Sequence, residues 1–216
     1  MNNTFRITSI EPQKKYPRRR NIFLNDAFAF GLDEEVVLKN HLHVNDEITD
    51  ETIQHVLLEE ETARAKKKAL ALLSYRARSV AEIRERLCLK GYDEKIIENL
   101  IEDFLRVGLL NDQVFASAYV QTRMIQKPVS KRLLMMELKK KGVDEALAGQ
   151  AVKAEYGAVT EFEVARSIIQ PRLPRYRNGN TMKIRKKISD ILMRRGFDWE
   201  VIREIIQWKE SQDDHL

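Results

Sequence analysis

The stretch Ile83-Arg84-Glu85-Arg86-Leu87-Cys88-Leu89-Lys90-Gly91-Tyr92-Asp93-Glu94-Lys95-Ile96-Ile97-Glu98-Asn99-Leu100-Ile101 is spelled three times in outline along this chain of 216 residues. The second copy keeps Leu134, Leu138, Lys141-Gly142-Val143-Asp144, Leu147-Ala148 and Ala151-Val152 at the same spacing. The third keeps Ile188, Leu192, Arg195-Gly196-Phe197-Asp198, Val201-Ile202 and Ile205-Ile206. The three glycines lie 51 and 54 residues apart. Repeats of that period belong to tandem arrays that stack like units and present one long surface, which points to binding before catalysis.

Each part of the pattern has a physical reading. Apolar residues eight and four before the glycine share one helix face. The basic residue in the last turn suits the negative end of the helix dipole. The glycine takes the left-handed position just past the helix end, and the apolar Tyr92, Val143 or Phe197 that follows folds back onto the helix. Asp93, Asp144 and Asp198 then cap the next helix by accepting its free N–H groups. That helix carries apolar residues at i, i+1, i+4 and i+5, a stripe facing a core. Preceding helices, Thr62 to Ser74, Asp112 to Gln126 and Thr160 to Gln170, complete three-helix units. These glycines and aspartates are structural, and no chemistry is assigned to them.

Charge is informative once divided. The whole chain is +5 with a pI of 9.2, a charged fraction of 33% and a mean hydropathy of −0.46. Residues 1–61 carry 7 Lys/Arg against 12 Asp/Glu, a net of −5. Residues 62–110 carry 11 against 7, residues 111–157 carry 8 against 5, and residues 158–210 carry 12 against 7. An acidic front therefore precedes three basic repeats of +4, +3 and +5, and a tail of residues 211–216 returns −2. A uniformly basic array fits a polyanionic partner, or a partner that itself carries nucleic acid. No apolar run approaches ~18 residues, so no membrane span is expected. The N-terminus lacks an apolar signal region, and a cytoplasmic protein is expected. The single cysteine, Cys88, reads as a small helix residue.

The front reads as a small α/β module. Phe5 to Ile10 and Asn21 to Phe30 suggest strands, with Asn25-Asp26 able to take positive φ in a hairpin turn. A basic loop, Lys14-Lys15-Tyr16-Pro17-Arg18-Arg19-Arg20, lies between them. Asp33 caps a short helix to Lys39, and a second helix starts at Thr49 or Asp50 and runs to about Ser74, with room for a break near Glu61. Ser79-x-x-Glu82 is a capping box. Pro128 and Ser130 separate two helices of the second unit, and Pro171 to Asn180 reads as an irregular stretch that is either a solvated loop or a contact loop, the second being favoured.

No active site is apparent. His41, His43, His55 and His215 form no HExxH pattern and accompany no cysteine pair, and neither GxxxxGK[ST] nor GxGxxG occurs. The carboxylates fit caps and solvated faces. The runs Lys66-Lys67-Lys68, Lys139-Lys140-Lys141 and Arg185-Lys186-Lys187 align poorly between repeats, so they read as a distributed basic surface. Tyr75, Tyr119, Tyr156 and Tyr176 are candidate stacking platforms, several of them expected in the core.

The order and spacing of Ala69-Leu70-Ala71-Leu72-Leu73-Ser74-Tyr75-Arg76-Ala77-Arg78-Ser79, Glu82-Ile83, Lys90-Gly91-Tyr92, Gly108-Leu109-Leu110-Asn111-Asp112, Phe115-Ala116, Ala118-Tyr119-Val120, Arg123, Lys141-Gly142-Val143 and Arg194-Arg195-Gly196-Phe197 resemble the RecX family of recombinase regulators. The resemblance covers residues 62–208 and extends to the N-terminal strand module of some members. It implies a mainly α fold, a tandem array of three three-helix repeats after a small β-hairpin module with short helices. It further implies a non-enzymatic regulator of recombination and the SOS response that binds RecA and its filament on single-stranded DNA. Such proteins inhibit RecA ATPase, strand exchange and coprotease activity, although some members stimulate. The expected partners are RecA, its filament, and single- and double-stranded DNA of low sequence specificity; no membrane, cofactor or metal is expected, and the chain should be a monomer. Contact residues expected on that basis are Arg76, Arg78, Arg123, Lys127, Lys131, Arg132, Arg175, Arg177, Lys183 and Arg185. The rival readings are a helical DNA-binding protein acting without RecA, and a scaffold that binds another protein through apolar grooves.

Overall fold

The computed structural model describes residues 3–157, 159–176 and 181–213. It divides into two compact units, one of Met1–Arg76 with Ile83–Val107, the other of Ala77–Glu82 with Gly108–Leu216.

The first unit begins with a sheet of β1 (Thr4–Pro12), β2 (Arg19–Leu24), β3 (Ala27–Asp33) and β4 (Glu47–Thr49), in the order β3-β2-β1-β4 with every pair antiparallel. Asn25 and Asp26 turn β2 into β3 with φ of 49° and 67°, as the primed hairpin turn requires. The short strand β4 was not anticipated. Glu47 to Thr49 is too brief to show alternation, and only its pairing with Thr4 to Arg6 makes it a strand. Helix α1 (Glu34–Lys39) starts at the Asp33 cap.

Helix α2 (Asp50–Tyr75) starts at Thr49 and runs 26 residues without the break considered near Glu61. The helix expected from Thr62 is therefore its second half. Val56, Glu60, Ala65 and Ala69 give it a continuous buried edge, and Glu60 is satisfied by Arg19 and the Asp33 N–H, so nothing interrupts the helix there. A core of Ile7, Ile22, Leu32, Val36, Ile48 and Val56 joins sheet to helices. Helix α4 (Glu94–Arg106) buries Ile96, Ile97, Leu100, Ile101 and Phe104, the expected stripe, and packs with α2.

Helix α3 (Val80–Cys88) contributes its first residues to the second unit. There α5 (Asp112–Gln126), α6 (Lys131–Lys140) and α7 (Glu145–Tyr156) form one repeat. The next comprises α8 (Glu161–Ile169), α9 (Thr181–Met193) and α10 (Trp199–Asp213). One core, including Leu134, Leu138, Val152, Ile169, Ile188, Leu192 and Ile205, runs through both. Gln170 to Tyr176 forms a 3₁₀ segment packed on α8, so this part of the expected irregular loop is ordered. Residues 177–180 lie outside the described residues.

The three glycine turns close alike. Tyr92, Val143 and Phe197 donate their N–H groups to the carbonyls of Leu87, Leu138 and Leu192 at 3.4, 3.2 and 3.1 Å, the long bond of a Schellman motif.

Candidate partner-binding surface of the helical repeats

What positions the basic residues of the second unit is a joint that recurs between successive repeats. Ser79 caps α3 through the Glu82 N–H and, from the same hydroxyl, donates to the Lys141 carbonyl at 2.5 Å. Ser130 caps α6 through the Leu133 N–H and donates to the Gly196 carbonyl at 2.7 Å. The residue after each serine donates its N–H to the first acid of a following helix: Val80 to Asp112 at 2.9 Å and Lys131 to Glu161 at 2.8 Å. Both serines are buried, so the bonds of their hydroxyls stand in for water that cannot reach them.

The glycines complete the joint. A Cβ on Gly142 would sit 2.2 Å from that of Ala81, and one on Gly196 would sit 2.6 Å from Ser130 Oγ and 2.7 Å from Leu133 Cβ. Each glycine therefore serves its positive φ and also the approach of a neighbouring helix.

The linker between α5 and α6 is held from three sides. The carbonyl of Lys127 accepts from Arg123 Nη1, that of Pro128 from Arg195 Nη1, and that of Val129 from the buried Tyr156 hydroxyl. Burial, then the charges of Arg172 and Arg123, hold the Arg195 guanidinium below the ordinary arginine range. Three guanidiniums thus stand within electrostatic reach of one another.

Of the ten cations expected to make contacts, several are engaged inside the chain. Arg123 forks onto Glu137, with Nε at 3.0 Å and Nη2 at 3.1 Å, in a half-buried pair that also takes the Tyr119 hydroxyl. Burial, followed by the Glu137 hydrogen bond and charge, pushes Tyr119 up to about 12. Lys131 lies 5.0 Å over the Tyr156 ring, and Arg132 reaches the Gly196 carbonyl and Asp198. Arg185 forks onto Glu210 at 2.6 and 3.0 Å. Arg76, Arg78 and Lys183 each take part in an interaction as well. Lys127 is exposed at the end of α5. Arg175 lies in the 3₁₀ segment, and Arg177 falls outside the described residues.

These engagements differ in strength. The Arg185 pair is 50% and 31% exposed and the Arg132–Asp198 pair 58% and 65%, and ion pairs so wet contribute about 0–1 kcal/mol. An incoming phosphate or carboxylate can replace Glu210 or Asp198 at little cost. The Arg123–Glu137 fork is more enclosed, and Arg123 is a structural residue first.

The sequence reading missed one cleft, of about 520 Å³, between α9 and α10. Trp199, 55% exposed, stands there with Arg185, Lys186 and Arg203. Its signal was available: Trp199 occupies the place held by Glu94 and Glu145 in the other copies of the pattern. Among the stacking candidates, Tyr156 is core, Tyr119 is committed to Glu137, and Tyr75 is 84% exposed at the end of α2. The side chain of Tyr176 lies outside the described residues. Among the described residues no group of His, Cys, Asp or Glu could hold a metal ion, and no helix is long and apolar enough to cross a membrane.

Comparison with known proteins places this architecture. Residues 5–49 match the family model of the RecX regulatory protein's N-terminal domain. Residues 65–104, 111–152 and 160–206 match the models of its first, second and third three-helix domains. The chain is 33% identical over 209 residues to the regulatory protein RecX of Clostridioides difficile, covering 97% of this chain and 98% of that one. It is 30% identical to that of Bacillus subtilis, covering 96% and 78%. A crystal structure of a regulatory protein RecX superposes with a TM-score of 0.68 at 25% identity, over 93% of this chain and 98% of that one. That of RecX from Lactobacillus salivarius gives 0.61 at 25% identity, over 73% and 99%.

Proposed function

This chain belongs to the RecX family of regulatory proteins, and from that premise we propose that it binds RecA and the RecA filament on single-stranded DNA. Bound there, it inhibits RecA ATPase, strand exchange and coprotease activity, and so regulates recombination and the SOS response in the cytoplasm as a monomer without catalysis of its own. The observation that carries this reading is the basic array, +4, +3 and +5 over residues 62–110, 111–157 and 158–210, behind an acidic module of residues 1–61.

Such an array is drawn to a polyanionic filament by electrostatic steering, and its repeats offer successive footholds on repeating subunits. By holding neighbouring subunits it favours filament states that do not turn over ATP. Arg76, Arg78, Lys127, Lys131, Arg132, Lys183 and Arg185 are the contacts in this reading, joined by Arg175, Arg177, Lys186 and Arg203. Arg123 contributes by holding the surface in shape.

The test is ATP hydrolysis by the cognate RecA on single-stranded DNA, with this protein titrated below the RecA concentration. Inhibition at substoichiometric amounts, weakened by Arg185→Glu with Lys186→Glu, is the expected result. No effect on ATPase, together with DNA binding that falls steeply with salt in the absence of RecA, would instead support a stand-alone DNA-binding protein. The exposed Trp199 beside three cations is the feature that favours that second reading.

A further inference from the structure

The basic loop of the N-terminal module is not used by the function above. Residues 14–20 belong to a module of net charge −5, so their cations attract no notice from the charge balance alone. In the structure residues 15–19, with Asp33, form one side of a cleft of about 560 Å³, with the other side supplied by Arg64 and Lys67 of α2. That volume is in the range of small-ligand sites.

The cleft is built on a fixed turn. The Arg19 N–H donates to the Tyr16 carbonyl at 2.8 Å with Pro17 at the second turn position, and the Gln13 N–H donates to the Arg19 carbonyl at 2.9 Å. The Arg18 carbonyl in turn accepts the first N–H of α1 at 2.8 Å. Two of the cations are neutralised where they stand: Arg19 holds Glu60 at 2.6 Å and Lys67 holds Asp33 at 2.9 Å. Lys15, Arg18 and Arg64 are exposed, and among the described residues none has a carboxylate within ion-pair distance. Tyr16 is 55% exposed, with the Lys15 ammonium 5.7 Å from its ring centroid.

We propose that this cleft holds a nucleotide unit of single-stranded nucleic acid, its base stacked on Tyr16 and its phosphate held by Lys15, Arg18 and Arg64. An acidic peptide would satisfy the three cations and leave the ring without a partner; a nucleotide supplies both an anion and a π-face. The turn presents these groups already in place, so binding need not order the loop. The site shares no residue with the repeat surface assigned above and needs no RecA.

The experiment uses the full chain and fluorescein-labelled oligothymidylate in an anisotropy titration, with a photoreactive thymidine to map where the strand lies. Tyr16→Ala should weaken binding about tenfold and Tyr16→Phe should leave it unchanged, since stacking needs the ring and not the hydroxyl. Arg18→Ala with Arg64→Ala should lower the salt slope by about 0.7 for each phosphate that is no longer neutralised. Cross-links should fall within residues 14–19. Wild-type affinity and slope in all these variants, with cross-links confined to residues 108–213, would overturn the proposal while leaving the regulatory reading intact. An abasic oligomer that binds as tightly as oligothymidylate, or a polyglutamate that displaces it equally well, would also overturn it. All three substituted positions, Tyr16, Arg18 and Arg64, are exposed, so the variants should fold as the parent does, which circular dichroism checks.

Discussion

The turn at Gly91 and the turns at Gly142 and Gly196 have the same sequence signature and the same hydrogen-bonded closure, yet they meet different surroundings. A Cβ on Gly91 would find nothing within 4 Å, whereas one on Gly142 or Gly196 would collide with a neighbouring helix start. The later two turns seat the serine-capped ends of α3 and α6. One local motif thus does a single task at its first appearance and two at the next.

That contrast is sharpest under substitution of the glycines. Gly142→Ala and Gly196→Ala should each cost about 3 kcal/mol or more, because a strained φ is added to overpacking. Gly91→Ala should cost about 1 kcal/mol, from the φ strain alone. Urea denaturation of the three variants measures this, and equal losses would break the distinction. Next in size come the capping serines. Ser130→Ala removes a cap and the shorter of two hydrogen bonds to the Gly196 carbonyl, which keeps Arg132, so about 2 kcal/mol is expected. Thr160→Ala, which removes only the capping box of α8, should cost about 1 kcal/mol in the same assay.

A smaller loss is expected at the ion pair beside the first joint. Lys141 Nζ lies 3.2 Å from Glu82 and 5.0 Å over the Tyr119 ring. Lys141→Met keeps the stem and should cost about 1 kcal/mol, read as a lower melting temperature.

The mildest effect is a pH dependence of opposite sign in the two units. Asp33 is held below the ordinary carboxylate range: burial opposes this, but the hydrogen bonds from Lys67 and the Glu35 N–H and the charges of Lys67 and Arg19 outweigh it. A lowered folded value means stability present above the unfolded Asp value of 3.8 and lost as pH falls through the folded one. Tyr119, raised to about 12 from 10.0, acts the other way: its contribution is complete below pH 10.0 and is lost as pH rises towards 12. Asp33→Asn should flatten the acid limb of a melting-temperature profile, and Tyr119→Phe the alkaline limb.

Much of the fold was legible because it is written in local terms. The Asn25-Asp26 turn, the Asp33 cap, the span of α5 and the stripes on α4 and α10 all follow from residues within a few positions of one another. The strand β4 was not legible, since it exists through pairing with Thr4 to Arg6, and the span of α2 was legible but not its continuity past Glu61, which rests on a buried Glu60 answered by Arg19. The candidate surface was legible only as charge. Counting cations did not reveal that Arg123 is forked onto Glu137 or that Arg195 grips the Pro128 carbonyl.

By itself, then, the sequence determined the helix-glycine-helix unit, its threefold repetition and the sign of charge on each part, because capping, periodicity and formal charge depend on near neighbours alone. The tertiary structure decided which turns carry a joint, which cations remain open to a partner, and that Tyr16 shares a cleft with Arg64. Those outcomes depend on atoms brought together from distant parts of the chain, where hydrogen bonds and packing, and not residue order, choose the neighbours.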